Sequence, residues 1–121
     1  MTSPADLLTA FDRGAREDYS WGWIVFLKSA ALDPGATMTL GVCSISPGES
    51  NRPHFHPNCD EILYVQSGEC IKTVGEQQFT MGPGDTVRIP RGVHHFARNT
   101  GSEPFVCVIA YDSPDRRVVF L

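Results

Sequence analysis

Turn-forming residues interrupt this sequence at near-regular intervals, and their spacing limits the possible folds more than any other feature. Glycine and proline clusters recur from Asp33-Pro34-Gly35 to Ser113-Pro114-Asp115. The runs between them are short and rich in β-branched and aromatic residues, which favours strands. Strands are predicted at residues 21–27, 36–46, 52–56, 61–66, 69–74, 77–81, 86–89, 93–98, 104–111 and 118–121. Many short strands separated by such turns are typical of an all-β sandwich or barrel.

The chain of 121 residues is long enough for one domain with its own core. Residues 1–20 are predicted to be an N-terminal extension, and residues 21–121 to be a single barrel domain. Within the extension, Ser3–Phe11 has the signals of a short helix, because Ser3 suits the N-cap and Pro4 the first helical position. A helix this short must pack against other elements to persist.

Charge and composition argue against several kinds of partner. The formal net charge of −4 and the pI of about 5.4 disfavour nucleic-acid binding. No apolar run is long enough to span a membrane, and the N-terminus does not resemble a secretion signal. We therefore expect a cytoplasmic protein that binds neither nucleic acid nor a membrane and that acts on a small molecule.

A His-x-His pattern marks the candidate site. Residues i and i+2 of a strand point to the same face, so His54 and His56 project side by side. Glu61 follows after Pro57-Asn58, which reads as a turn that brings the next strand back alongside the first. Imidazole nitrogens and a carboxylate oxygen together suit a divalent transition metal.

The second informative stretch, residues 84–99, contains His95. The chain has four histidines, and all of them lie in these two stretches. His95 is the natural fourth ligand from a strand on the far side of a closed sheet. His94 points to the opposite face of that strand and is predicted to be a packed or surface residue.

The two stretches resemble the paired motifs of the cupin family of small β-barrels. The first motif is glycine, five residues, His-x-His, a spacer, glutamate, six residues and glycine. The second is glycine, five residues, Pro-x-Gly, two residues, histidine, three residues and asparagine. They are matched by Gly48, His54, His56, Glu61 and Gly68, and by Gly84, Pro90, Gly92, His95 and Asn99.

The resemblance implies a jelly-roll β-barrel that holds a metal inside. Its expected ligands are His54, His56, Glu61 and His95, with one or two positions open for water, dioxygen or substrate. Members of the family often form homodimers, and the candidate segments for crossing between protomers are Trp21–Leu27 and the Ser3–Phe11 helix. No organic cofactor is expected.

The resemblance leaves the reaction open, because this fold hosts many chemistries. The leading hypothesis is an Fe(II)-dependent dioxygenase of a small organic molecule, in which Glu61 also acts as a base. Zn, Ni, Mn and Cu are the alternative metals. The alternative reactions are Lewis-acid isomerisation, decarboxylation, lyase or cyclase chemistry. A different class of hypothesis is a non-catalytic barrel that binds or senses a small ligand.

The surroundings of the site favour a modest substrate. Strand parity places Leu63, Val65, Val93 and Ala97 on the metal side, which predicts a small apolar pocket floor. Arg52 shares the parity of His54 and His56. It is the candidate for binding a substrate carboxylate at the barrel mouth in bidentate fashion, and the alternative is a solvated surface charge.

Overall fold

The computed structural model describes residues 7–121, which contain eleven β-strands. The strands are β1 (Ala15–Tyr19), β2 (Gly22–Lys28), β3 (Thr39–Ile45), β4 (His54–Phe55), β5 (Glu61–Ser67), β6 (Cys70–Val74), β7 (Gln77–Met81), β8 (Thr86–Ile89), β9 (His95–Asn99), β10 (Phe105–Tyr111) and β11 (Val119–Phe120). The predicted runs from residue 21 onward all contain one of these strands, and the boundaries differ by a few residues.

The strands form two antiparallel sheets. The six-stranded sheet has the order β1-β2-β3-β10-β5-β8, and the five-stranded sheet has the order β11-β4-β9-β6-β7. Many neighbours in these sheets are far apart in sequence, as when β10 pairs with both β3 and β5. This is the all-β jelly-roll barrel predicted from the sequence.

Side chains alternate between the inside and the outside of the barrel. Every second residue of β10 is buried from Phe105 to Tyr111, and β5 alternates in the same way from Glu61 to Val65. The inner faces of the two sheets form one core, in which Phe105, Val65 and Ile45 are at most 1% exposed. Glu61 of β5 and Tyr111 of β10 are polar residues on the inner face of the six-stranded sheet, and both reach the candidate site.

Strand β1 lies within residues 1–20, where the sequence analysis placed an extension and no strand. Its residues are almost all exposed, and Arg16, Glu17 and Asp18 follow one another without apolar alternation. It pairs with β2 at the edge of the six-stranded sheet. Charged edge strands of this kind protect a sheet from pairing with other chains, and they lack the hydrophobic pattern by which strands are recognised.

The predicted N-terminal helix is only a short 3₁₀ turn in the described chain. Residues 3–6 of the predicted Ser3–Phe11 helix lie outside the described residues. Residues 8–10 have no regular secondary structure, and a 3₁₀ helix covers Phe11–Arg13 before Gly14. Leu7 is helical, at the limit of the described residues. Leu7, Leu8 and Phe11 are 51–76% exposed, and Phe11 lies edge-on to Trp23 with ring centres 6.1 Å apart. No helix of the described residues has the length and apolar character needed to cross a membrane.

Two of the motif residues stabilise the fold. Gly68 has φ +78°, and a Cβ atom there would lie 2.6 Å from the carbonyl oxygen of Pro104, so only glycine fits without strain. Asn99 is fully buried, and its side-chain amide donates to the carbonyl oxygens of Ile45 and Glu103, both at 2.8 Å. These residues fix the turns that hold β9 and β10 beside the candidate site.

Candidate metal centre

Three histidines from the five-stranded sheet converge near a glutamate from the other sheet. His54 of β4 is the direct cross-strand partner of His95 at the start of β9. His56 lies just after β4, and Glu61 begins β5. One ring nitrogen from each histidine can be chosen so that all three lie within 4.8 Å of one another. The barrel therefore brings together all four residues that the sequence analysis proposed as ligands.

Each imidazole is oriented by a hydrogen bond on its Nδ1 atom. The partners are backbone carbonyl oxygens, which can only accept a proton, so each Nδ1 carries the hydrogen. This tautomer leaves every Nε2 with a free lone pair, as is usual for histidines that bind metals through Nε2. The three bonds run from His54 to Arg52 at 2.7 Å, from His56 to Arg117 at 2.7 Å and from His95 to Val93 at 2.9 Å.

The unprotonated Nε2 atoms of His56 and His95 face the carboxylate of Glu61. Oε1 of Glu61 lies 3.2 Å from Nε2 of His56 and 3.2 Å from Nε2 of His95. All three atoms are buried and lack a hydrogen-bond partner among the described residues. Three buried acceptors facing one another are unfavourable unless a cation lies among them. The group can therefore hold a divalent metal.

Burial and neighbouring groups shift the pKa values of His54 and Glu61. Burial, followed by the nearby His95, lowers the pKa of His54 to about 3. Burial alone would raise the pKa of Glu61, but its polar and charged neighbours, among them the Lys72 side chain, hold it well below its usual value. Neutral imidazoles and an ionised carboxylate are the protonation states that a metal requires of its ligands.

A small cavity adjoins the metal ligands inside the barrel. Its volume is about 40 Å³ when measured for the centres of water molecules, which is room for about three or four waters on the same measure. Leu63, Ala97 and Ile109 contribute apolar walls. The predicted apolar floor at Leu63 and Ala97 is thus found at the cavity, and its size suits a small ligand.

Two charged residues of the cavity were not predicted from the sequence as site residues: Lys72 and Arg116. Lys72 lies on β6 between Ile71 and Thr73, and it shares the parity of the buried Cys70. That parity was the available signal, but a lysine is normally expected on the surface. Arg116 lies in an irregular segment without a periodic pattern.

Arg52 lies at the edge of this cavity, and its role in substrate binding stays a prediction. Its side chain is exposed. Its Nε donates to the carbonyl oxygen of Leu121 at 3.1 Å, and its guanidinium lies 5.2 Å from the ring centre of Phe120. His94, by contrast, points out of the barrel and stacks on Phe55, with ring centres 5.1 Å apart.

Comparison with known proteins identifies the family. The family profile described as "Cupin domain" matches residues 41–111. Oxalate oxidase 1 of Hordeum vulgare is 34% identical over 100 residues, which cover 73% of this chain and 49% of that protein. The chain thus spans about half the length of the curated relatives it matches.

Solved structures agree on the fold. Oxalate decarboxylase of Lactobacillus farciminis superposes with a TM-score of 0.85 at 22% identity, over 91% of this chain and 34% of that one. A structure of oxalate decarboxylase of Bacillus subtilis, reported for its Mn(II) centres, gives 0.84 at 23% identity, over 92% and 31% of the two chains. Both the sequence profile and the folded barrel lead to one conclusion: the chain belongs to the cupin family.

Proposed function

We propose that this chain is a metal-dependent enzyme that cleaves or oxidises a small carboxylic acid. The observation that carries the proposal is the set of unpartnered atoms at Glu61, His56 and His95, which face one another beside a cavity that Lys72 also lines. A cation at this group and a positively charged wall beside it together favour an anionic substrate. Relatives named oxalate oxidase and oxalate decarboxylase support a carboxylate of this size.

The proposed resident metal is Mn(II). The donor set of three imidazoles and one carboxylate suits Mn, Fe and other divalent ions alike. Support for Mn comes from the Mn(II) centres named for the Bacillus subtilis decarboxylase. When bound, such a metal supplies a Lewis acid and a redox-active centre for carboxylate or dioxygen chemistry. Fe(II), the metal favoured from the sequence, stays an alternative prediction.

The side chains around the metal position have separate proposed roles. The imidazoles of His54, His56 and His95 would hold the metal, and their Nδ1 hydrogen bonds fix the direction of each lone pair. Glu61 would complete the ligand set, and its ionised carboxylate is able to accept a proton from the substrate. The apolar walls keep bulk water away from the reacting group.

Metal analysis followed by product analysis tests this function. Protein purified without added metal is expected to contain nearly one equivalent of transition metal per chain. The Mn(II)-loaded protein is then incubated with oxalate. Formate and carbon dioxide indicate decarboxylation, whereas oxygen uptake and hydrogen peroxide indicate oxidation. Background metal content with no uptake on titration overturns the metal site, and an unchanged oxalate pool overturns the substrate assignment.

The other reactions considered from the sequence are distinguished in the same assays. Oxygen uptake by the Fe(II)-loaded protein with diketones or catechols, and none with oxalate, favours the Fe(II) dioxygenase. Activity retained with Zn or Ni under anaerobic conditions favours Lewis-acid isomerase, lyase or cyclase chemistry. Tight binding of a carboxylate without turnover favours a non-catalytic sensor.

The homodimer expected from the resemblance is also a proposal. Its support is an apolar row on the outer face of the six-stranded sheet. Ala110 of β10 pairs with Leu40 of β3 on one side and with Ile62 of β5 on the other. Leu40 is 37% exposed and Ile62 is 44% exposed. Exposed apolar rows of this kind often mark interfaces. Light scattering after size exclusion separates the 13.3 kDa chain from a species of twice that mass.

A further inference from the structure

Lys72 is the largest fully buried side chain among the described residues, and the metal site does not use it. It is 2% exposed, and it lines the cavity beside His54 and His95. No salt bridge or side-chain hydrogen bond in the described chain involves its amino group. Lysine is almost never this buried without a protein partner, so its place at the cavity calls for a binding role or another compensating gain.

The sheet register places Lys72 within reach of the metal ligands. Val74 of β6 pairs with His95 of β9, and Lys72 pairs with Ala97, one step further along the same inner face. Diagonal neighbours of this kind have Cα atoms about 7–8 Å apart, which is within the reach of an extended lysine. Ala97 has a small side chain, so the space between Lys72 and His95 stays open to the cavity.

Basic side chains outnumber acidic ones around the cavity. Of its lining residues, Glu61 is the acidic one, whereas Lys72, Arg116 and Arg52 are basic. Arg116 packs over the ring of Tyr111 at 5.2 Å, and its buried Nε lacks a partner among the described residues. A divalent metal at the histidines would add two more positive charges. One carboxylate from a substrate would leave much of this charge uncompensated.

We propose that Lys72 binds a second acidic group of the substrate, so that the ligand of this site is a small dianion such as a dicarboxylate. The inference rests on the proposed function and specifies its substrate class. One carboxylate faces the metal ligands, and the other accepts hydrogen bonds from the Lys72 ammonium. A monocarboxylate of the same size fills only the first position, and the cavity volume excludes long or branched dianions.

Calorimetric titration of the Mn(II)-loaded protein with oxalate and with acetate tests this assignment. Lys72→Met and Lys72→Gln are expected to weaken oxalate binding about ten- to hundredfold, as the loss of a charge-assisted hydrogen bond does. Their affinity for acetate is expected to change less than about threefold. Lys28, the other lysine, pairs with Asp33 outside the cavity, and Lys28→Met is the matched control with unchanged affinity for both anions.

The outcomes separate this inference from the proposed function. Equal oxalate affinity in wild type and in either folded Lys72 variant overturns the role of Lys72, whatever the turnover. Oxalate binding that depends on Lys72 but leads to no product supports Lys72 and overturns the catalytic function. A folded Lys72→Gln protein that no longer takes up Mn(II) overturns the assignment as well, because it places Lys72 in support of the metal site.

Discussion

His54 and His95 face each other directly across two neighbouring antiparallel strands, with ring centres 4.2 Å apart. They lie 41 positions apart in a chain of 121 residues, and the pairing of β4 with β9 alone brings them together. This register places two of the candidate ligands in the sheet itself. Sites built on strands hold their ligands in a more fixed geometry than sites built on loops.

Removing either of these histidines is expected to abolish metal binding and to leave the barrel folded. His54→Ala and His95→Ala each delete one of the three imidazoles, and the apolar core formed by residues such as Phe105 and Val65 stays intact. We expect metal content to fall from about one equivalent to background in both variants. Elemental analysis measures this, and circular dichroism reports the fold. His94→Ala, which changes the exposed neighbour, serves as the control with full metal content. Full metal content in His54→Ala and in His95→Ala would show that the three-histidine group is not the site.

Much of this site could be predicted from the sequence because two local rules apply to it. Strand alternation places His54 and His56 on one face and separates His94 from His95, and turn residues define where each strand ends. The cupin motifs then predict that the two stretches meet. The structure confirms the family and the barrel, and it brings the four proposed ligands together.

The parts that could not be predicted depend on long-range contacts or on residues that break a local rule. Strand β1 lacks apolar alternation because it is an exposed edge strand, so its pairing with β2 is invisible in its own sequence. The short helix predicted at Ser3–Phe11 lies partly outside the described residues, and the described part ends in a 3₁₀ turn at Phe11–Arg13. Lys72 contradicts the general preference of lysine for the surface, and such exceptions are found mainly at functional sites.

The stability of the metal-free protein is expected to fall between pH 7 and pH 5 because of His54. Its pKa is lowered to about 3 in the folded state, mainly by burial, whereas in the unfolded chain it is about 6.5. Above pH 6.5 the residue is neutral in both states and the stability is full. As the pH falls from there towards 3, His54 binds a proton in the unfolded state but stays neutral in the folded state. This contributes a slope of up to about 1.4 kcal/mol per pH unit to the free energy of unfolding.

Urea unfolding of the metal-free protein at several pH values between 7 and 5 measures this slope. The His54→Ala variant is expected to show a smaller slope, while His94→Ala keeps the wild-type slope. Glu61 does not complicate this window, because its pKa is held well below its usual value. Identical slopes in wild type and His54→Ala would contradict the prediction.

Asn99→Ala is expected to destabilise the barrel without altering the metal ligands. The substitution leaves the carbonyl oxygens of Ile45 and Glu103 without their side-chain donor in a buried environment. Losing buried hydrogen bonds of this kind costs about 2–4 kcal/mol of unfolding free energy in total. Chemical denaturation measures the loss, and Thr100→Ala at the exposed neighbouring position should change the stability by less than about 0.5 kcal/mol. A loss in Asn99→Ala as small as that in Thr100→Ala would show that these bonds are not needed.

Glu61→Gln separates the two roles proposed for this residue, as a metal ligand and as a base. The amide keeps the shape and one oxygen donor but removes the charge, so we expect weaker Mn(II) binding that excess metal restores. Because an amide is not able to take up the substrate proton, turnover at saturating Mn(II) is expected to fall about 10²- to 10⁴-fold. The control is Asp60→Asn, since this neighbouring carboxylate lies outside the cavity, 3.7 Å from Arg88, and its loss should leave turnover unchanged. Wild-type turnover in metal-saturated Glu61→Gln would show that Glu61 serves as a ligand and that another group moves the proton.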